Sequence, residues 1–155
     1  MAGKVEARLK ELNISLPQAP TPAANYVPYV RSGALVFIAG QIPISEGIVK
    51  YAGLAGQDVS ADDAYQAARL CGINIISQAK AACGGDLDKV TRVVNLSGFV
   101  ASPATFTDHA KVLNGVSDLM VEVFGDAGKH SRAAMGSPSL PRNVTVEVAA
   151  VIETT

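Results

Sequence analysis

Apolar and polar positions alternate most cleanly near the C-terminal end of the chain. Between Val144 and Ile152, residues Val144, Val146, Val148 and Ala150 share one face of an extended run, and Thr145, Glu147, Ala149 and Val151 share the other. A second extended run, from about His130, lies on the far side of Leu140-Pro141-Arg142-Asn143. That tetrapeptide predicts a turn, because Pro sets φ at about −65° and Asn tolerates left-handed geometry. The pattern therefore predicts two paired strands. It also puts Glu147, a carboxylate, inside an apolar β-branched strand, where it needs a partner or a solvated cavity. The nearest candidate in the paired run is Arg132, whose guanidinium fork could grip a carboxylate while Glu147 handles a proton or a water.

The rest of the chain divides by the same reasoning. Residues 2–13 predict a short amphipathic helix with Val5, Leu9 and Leu12 as its stripe and Asn13 as its stop. Residues 16–25 hold Pro17, Pro20 and Pro22 and read as an extended lead-in. Tyr26–Arg31 predicts a short strand that Pro28 confines to an edge or a strand start. Ala34–Ala39 is continuously apolar, as in a strand buried on both faces. A third strand is expected at Ile48–Tyr51, after the Glu46-Gly47 turn. Ser60 and Asp63 then cap a helix whose inner stripe is Ala64, Ala67, Ala68, Cys71, Ile75, Ala79 and Ala82, ending at Gly84-Gly85. Residues 89–101 predict a fourth strand. Ser102-Pro103 predicts the start of a second long helix reaching about Phe124. The order is a short helix followed by β-β-β-α-β-α-β-β, which implies one two-layer α+β domain over 1–155 with its helices on one face of the sheet.

Composition sharpens this picture. Hydrophobic residues make up 48% of the 155 and charged residues only 17%, with the excess in Ala, Val and Ile. This is more buried surface than a monomer uses, so the uncovered sheet face is expected to meet another copy. No run is long enough to span a bilayer. The net charge of −1, with scattered basic residues, argues against a nucleic-acid partner. The N-terminus carries no secretion pattern. Cys71 and Cys83 fall in one predicted helix, about 18 Å apart at the helical rise, so they read as reduced core thiols of a cytoplasmic protein. No Cys/His spacing suggests a metal site, and His109 and His130 stand alone.

Several segments carry a resemblance: Val27-Pro28-Tyr29-Val30; Ile38-Ala39-Gly40-Gln41-Ile42-Pro43; Asn114; and Arg132 through Glu147 with Leu140-Pro141 and Val144-Thr145-Val146-Glu147-Val148. Over about residues 20–153 the chain resembles the YjgF/Rid family, reactive intermediate deaminases also described as L-PSP endoribonuclease-like. The resemblance implies a chorismate mutase-like fold with a six-stranded sheet and two helices. It also implies a homotrimer whose sheets form an inner barrel and whose sites lie between subunits. By position, Arg132 would bind a carboxylate and Glu147 would hold or activate water. Tyr29 and Asn114 would line the pocket, Gly40 would let the backbone approach the ligand, and Ala134 would offer a backbone donor. Ala134 stands where the family carries Cys, and Ala39 where it often carries Ser, which places the chain in a divergent subgroup.

The implied chemistry is hydrolysis of an enamine or imine derived from an amino acid, giving a 2-oxo acid and ammonia. The partner would be a small carboxylate-bearing metabolite, and neither cofactor nor metal is needed. Two other functions compete: a non-catalytic or regulatory trimer that binds a small carboxylate, and a ribonuclease or translation inhibitor. An aromatic content of 5% and the lack of a basic run argue against the last. The plainer readings are an Arg132–Glu147 structural ion pair, a half-buried strand tyrosine at Tyr29, and a helix asparagine bonded to backbone at Asn114. His130 is either a loop histidine without a role or one that tunes Arg132. Arg142 and Glu153 are expected to face solvent.

Overall fold

The computed structural model describes residues 3–22 and 24–155. The first helix, α1, spans Lys4–Glu11; residue 2, where the expected helix begins, lies outside the described residues. Its start is pinned by Asp88, whose carboxylate accepts the N–H groups of Lys4 and Val5, both at 2.9 Å. Those two bonds hold the Asp88 carboxyl below its ordinary range. Its end is set by Asn13, which takes a φ of 55° and lets Ile14 N–H close onto Leu9 C=O at 2.9 Å.

The remaining elements are β1 (Tyr29–Ser32), β2 (Leu35–Gln41), β3 (Ile44–Ser45), β4 (Ile48–Val49), α2 (Ala61–Ala82), β5 (Val90–Ala101), α3 (His109–Phe124), β6 (Ser131–Ser137) and β7 (Val146–Thr154). The fold is α+β, with a mixed five-stranded sheet in the order β1-β2-β7-β5-β6 and a separate β3–β4 hairpin. All neighbours in the main sheet are antiparallel except β5 and β6. Helices α2 and α3 pack against each other and against one face of this sheet.

Three expectations are corrected. The sheet has five strands, not six. The third predicted strand is one arm of the β3–β4 hairpin, turned by Glu46 at φ 53° and Gly47 at φ 77°. Second, β6 and β7 are not paired, because β5 lies between them. After β5 the chain crosses through α3 and returns β6 parallel to β5 at the sheet edge. The turn at 141–143 then carries the chain past the end of β5. Arg142 and Asn143 both sit at φ 58°, and Ala101 N–H bonds Thr145 C=O at 2.8 Å. Third, α3 starts at His109 rather than Pro103. Ser102 N–H bonds Ser137 C=O at 2.9 Å, so the ladder runs on past β5 and keeps Ser102 extended.

The start of α2 matches its signal: Ser60 Oγ accepts from Asp63 N–H at 3.1 Å, a cap of about 1 kcal/mol. Its small-residue stripe is buried at Ala64, Ala67, Ala68, Cys71, Ile75 and Ala79. Cys71 and Cys83 are free, and burial pushes both thiols up. The α2–α3 crossing is close because Gly115 has no Cβ; one built there would run into the Tyr65 carbonyl. In β7, Val146, Val148, Ala150 and Ile152 face the helices and are buried. The other sheet face carries no helix. Val30, Phe37 and Met135 remain 54%, 47% and 51% exposed. The strand at Ala34–Ala39 is thus apolar on both faces but buried on only one within a single chain. Among the described residues, no helix is long and apolar enough to cross a membrane.

Candidate active site

Glu147 lies between Val146 and Val148, both buried against the helices, so strand alternation turns it to the opposite face. Its partner on β5 is Phe99. On the β2 side, Ile38 pairs with Ala150 but Gln41 pairs with Val148, so Ala39 and Gly40 together oppose Ala149 in a bulge. Gln41 fastens the bulge by donating from Nε2 to Ala39 C=O at 2.9 Å. The bulge presses Gly40 onto the Glu147 side chain. A Cβ at Gly40 would overlap Oε1 and sit 3.0 Å from Cδ and 3.1 Å from Cγ. Glycine is therefore required here because the Glu147 side chain occupies the space that a Cβ would take. Burial pushes the Glu147 carboxyl up, and among the described residues no cation lies within 4 Å of it.

In front of Glu147 is a cavity of about 290 Å³, lined by Gly40, Tyr26, Gln78, Pro141 and Arg142 among others. That volume suits a small metabolite. Arg142 is solvent-exposed, as expected, yet it also lines this cavity. Gln78 escaped the sequence reading because it lies on a predicted helix with no motif around it. It is 1% exposed and donates from Nε2 to Pro20 C=O at 2.6 Å, while its Oε1 has no partner among the described residues. A wider groove of about 510 Å³ lies along α1, but its Glu6 and Lys80 already pair with each other at 2.7 Å.

Arg132 is elsewhere. Its partner on β5 is Leu96, a core residue, so its side chain turns toward the helices beneath α3. Nη1 donates to Asn114 Oδ1 and to Ser117 Oγ, both at 3.0 Å, and Nη2 donates to Ala110 C=O at 3.4 Å. Of five guanidinium N–H groups, three are used by neutral acceptors; Nε–H and one Nη2–H remain. No carboxylate among the described residues lies within 4 Å of it. His130 orders this cluster. Its Nδ1 lies 2.6 Å from Gly128 C=O, which can only accept, so Nδ1 carries the proton. In the neutral ring Nε2 then accepts a hydrogen bond from the Ser117 hydroxyl at 2.8 Å, leaving the Ser117 oxygen to accept from Arg132.

The predicted residues therefore fall into two groups rather than one pocket. Glu147 and Gly40 share the cavity on one face; Arg132, Asn114 and Ala134 lie on the helix side of the edge strand, with Ala134 packed against the core. Arg132 and Glu147 form no ion pair within the chain, because strand separation and alternation put them on opposite sides of the sheet. Tyr29 joins neither group: it pairs with Ile38 and packs against the core, while Tyr26 reaches the cavity. Among the described residues, no three His, Cys, Asp or Glu side chains are clustered to hold a metal.

Comparison with known proteins accords with this architecture. Residues 6–153 match the family described as "YjgF/chorismate mutase-like, putative endoribonuclease". The chain is 43% identical over 153 residues to Protein TCP17 of Trypanosoma cruzi, covering 98% of this chain and 95% of that one. It is similar to Atu1372 of Agrobacterium tumefaciens, a protein of unknown function, at 47% identity and a TM-score of 0.92, covering 97% and 92% of the two chains. It is similar to a solved structure from Shewanella oneidensis, described as "a putative endoribonuclease", at 34% identity and a TM-score of 0.94, covering 97% and 99% of the two chains.

Proposed function

This chain belongs to the YjgF/chorismate mutase-like family, and from that premise we propose that it hydrolyses small enamines or imines of amino acids to 2-oxo acids and ammonia. One observation carries the reading: each half of the site is unfinished. Among the described residues, Arg132 has open N–H groups and no anion, and Glu147 has a half-buried carboxyl and no cation. Since they lie on opposite faces of one sheet, only two copies can bring them together. The exposed Val30, Phe37 and Met135 support burial of the sheet face in a homotrimer with sites between subunits. Free, buried Cys71 and Cys83 fit a reducing cytoplasm.

The chemistry follows from the two groups. Arg132 fixes the substrate carboxylate through its Nε and Nη2 protons. An ionised Glu147 takes a proton from water as the oxygen bonds to the imine carbon and the C=N π pair moves to nitrogen. Glu147 returns that proton to nitrogen, giving a carbinolamine; it then takes the hydroxyl proton and passes it to nitrogen as the C–N bond breaks, so that C=O forms and ammonia leaves. Burial pushes this carboxyl up, which makes it a stronger base toward the attacking water than an exposed glutamate. The imine carbon is already electrophilic, so no cofactor is called for. The test supplies 2-aminoacrylate generated in situ and follows 2-oxo acid release. Arg132→Ala should lose at least about tenfold in rate; equal rates would overturn the reading.

A second reading is favoured by Arg142, which shares the cavity with Glu147 in one chain. A single copy would then hold a small carboxylate without turning it over. That reading predicts a saturable thermal shift with 2-oxo acids that Arg142→Ala abolishes and Arg132→Ala preserves.

A further inference from the structure

We infer that Arg142 grips a second carboxylate on the ligand, so that the cavity before Glu147 selects short dicarboxylic acids over monocarboxylic acids of the same length. The inference deepens the reading above and rests on it in one respect: Arg132 of another copy holds the first carboxylate.

The argument starts from the turn that carries Arg142. Its φ of 58° is a left-handed conformation that a residue with a Cβ adopts only at a cost. Asn143 follows at the same φ, and the surrounding backbone holds both. Asn143 N–H bonds Leu140 C=O at 3.0 Å, Val144 N–H bonds Pro141 C=O at 3.3 Å, and Gly53 N–H bonds Asn143 C=O at 2.8 Å. The turn therefore fixes where the Arg142 side chain leaves the backbone, at the wall of the 290 Å³ cavity. Arg142 is solvent-exposed, so a ligand in that cavity can reach its guanidinium. Among the described residues no carboxylate lies within 4 Å of it, so Glu147, though on the same wall, is not its counter-ion. It is also the one cation on that wall among the described residues. Much of the remaining lining is apolar, with Pro20, Pro22, Ile42 and Ile44. An apolar wall suits a methylene stem, and a guanidinium fork at its rim suits a carboxylate at the end of that stem. A monocarboxylate held by Arg132 leaves Arg142 to water; a short dicarboxylate engages both. The substrates so implied are the imines of acidic amino acids. Water adds and ammonia leaves as above, so the product is a 2-oxo dicarboxylic acid.

The test is calorimetric titration of the whole protein with 2-oxoglutarate and 2-oxopentanoate, product-like acids of equal chain length that end in a carboxylate and a methyl respectively. Wild type should bind 2-oxoglutarate at least about fivefold tighter, as one bidentate guanidinium–carboxylate pair implies; a smaller ratio overturns the inference. Arg142→Met keeps the apolar stem, loses the fork, and should bring the ratio close to one. An unchanged ratio in that variant also overturns the inference. Should Arg142→Met not fold, Arg142→Gly decides by the same ratio, because glycine takes the left-handed turn without strain. Failure here is separable from failure of the reading it rests on. If Arg132→Ala weakens both acids but wild type shows no preference between them, the shared site stands and only the second carboxylate is refuted. If Arg132→Ala binds both acids as wild type does, the shared site falls and the inference falls with it. A protein with the Arg142-dependent ratio that hydrolyses no imine refutes the catalytic reading alone.

Discussion

Replacing Gly40 by alanine should separate folding from catalysis. Gly40 is not among the glycines with positive φ, so its backbone accepts an alanine without strain. The added methyl would lie 3.0 Å from Glu147 Cδ and 3.1 Å from Cγ, and closer still to Oε1. Restoring ordinary contact moves the carboxyl by about 1 Å, because the end of a flexible side chain yields before the sheet does. An off-rotamer glutamate costs about 0.5–1.5 kcal/mol. The lost glycine entropy returns about 0.5–1 kcal/mol. Stability should therefore stay within about 1 kcal/mol of wild type. A displacement of that size at the reacting group costs up to about 10²-fold in rate, or about 2.7 kcal/mol of barrier. The assay pairs urea denaturation with 2-oxo acid release from 2-aminoacrylate. Wild-type kcat/KM in a folded Gly40→Ala protein would refute the claim that this contact positions Glu147.

Three further outcomes follow from the same geometry. Burial raises the Glu147 carboxyl above 4.5, so the folded state holds its proton more tightly than the unfolded chain; stability is lost as pH rises through the folded pKa, and Glu147→Gln should be more stable than wild type at pH 7 with the gap closing below about pH 4.5, read as Tm against pH. Ser117→Ala removes the hydroxyl between His130 and Arg132 and should raise KM about three- to tenfold with a smaller effect on kcat, since it removes one aligning hydrogen bond; an unchanged KM would count against a role for His130. Gly115→Ala drives a methyl into the Tyr65 carbonyl at the α2–α3 crossing and should cost about 1–3 kcal/mol or more in chemical denaturation; an unchanged midpoint would mean the helices can part cheaply.

Local signals were legible where one residue type satisfies one backbone need. Ser60 caps α2, Asn13 ends α1, Glu46-Gly47 turns the small hairpin, and the valines of β7 mark its buried face. Strand order was not legible. Leu140-Pro141-Arg142-Asn143 looks like a hairpin turn, but nothing local announces that β5 is inserted between the strands it joins. Ser102-Pro103 looks like a helix start, but ladder bonds to Ser137 and Thr145, far along the chain, hold the segment extended. The same blindness fused the candidate site into one pocket. Arg132 and Glu147 were each visible as unusual side chains on strands, whereas which side of the sheet each faces depends on registers set by Leu96 and Phe99. Gln78 showed no signal because its place beside the cavity exists only once the chain has folded around it.

The central claim is that one copy contributes Arg132 and another Glu147 to a common site, and mixing two disabled proteins tests it most directly. Arg132→Ala and Glu147→Gln should each be inactive alone. Refolded together in equal amounts, they should recover about a quarter of wild-type activity, the chance that an intact Glu147 faces an intact Arg132 across a random interface. A mixture as inactive as its components would contradict the account.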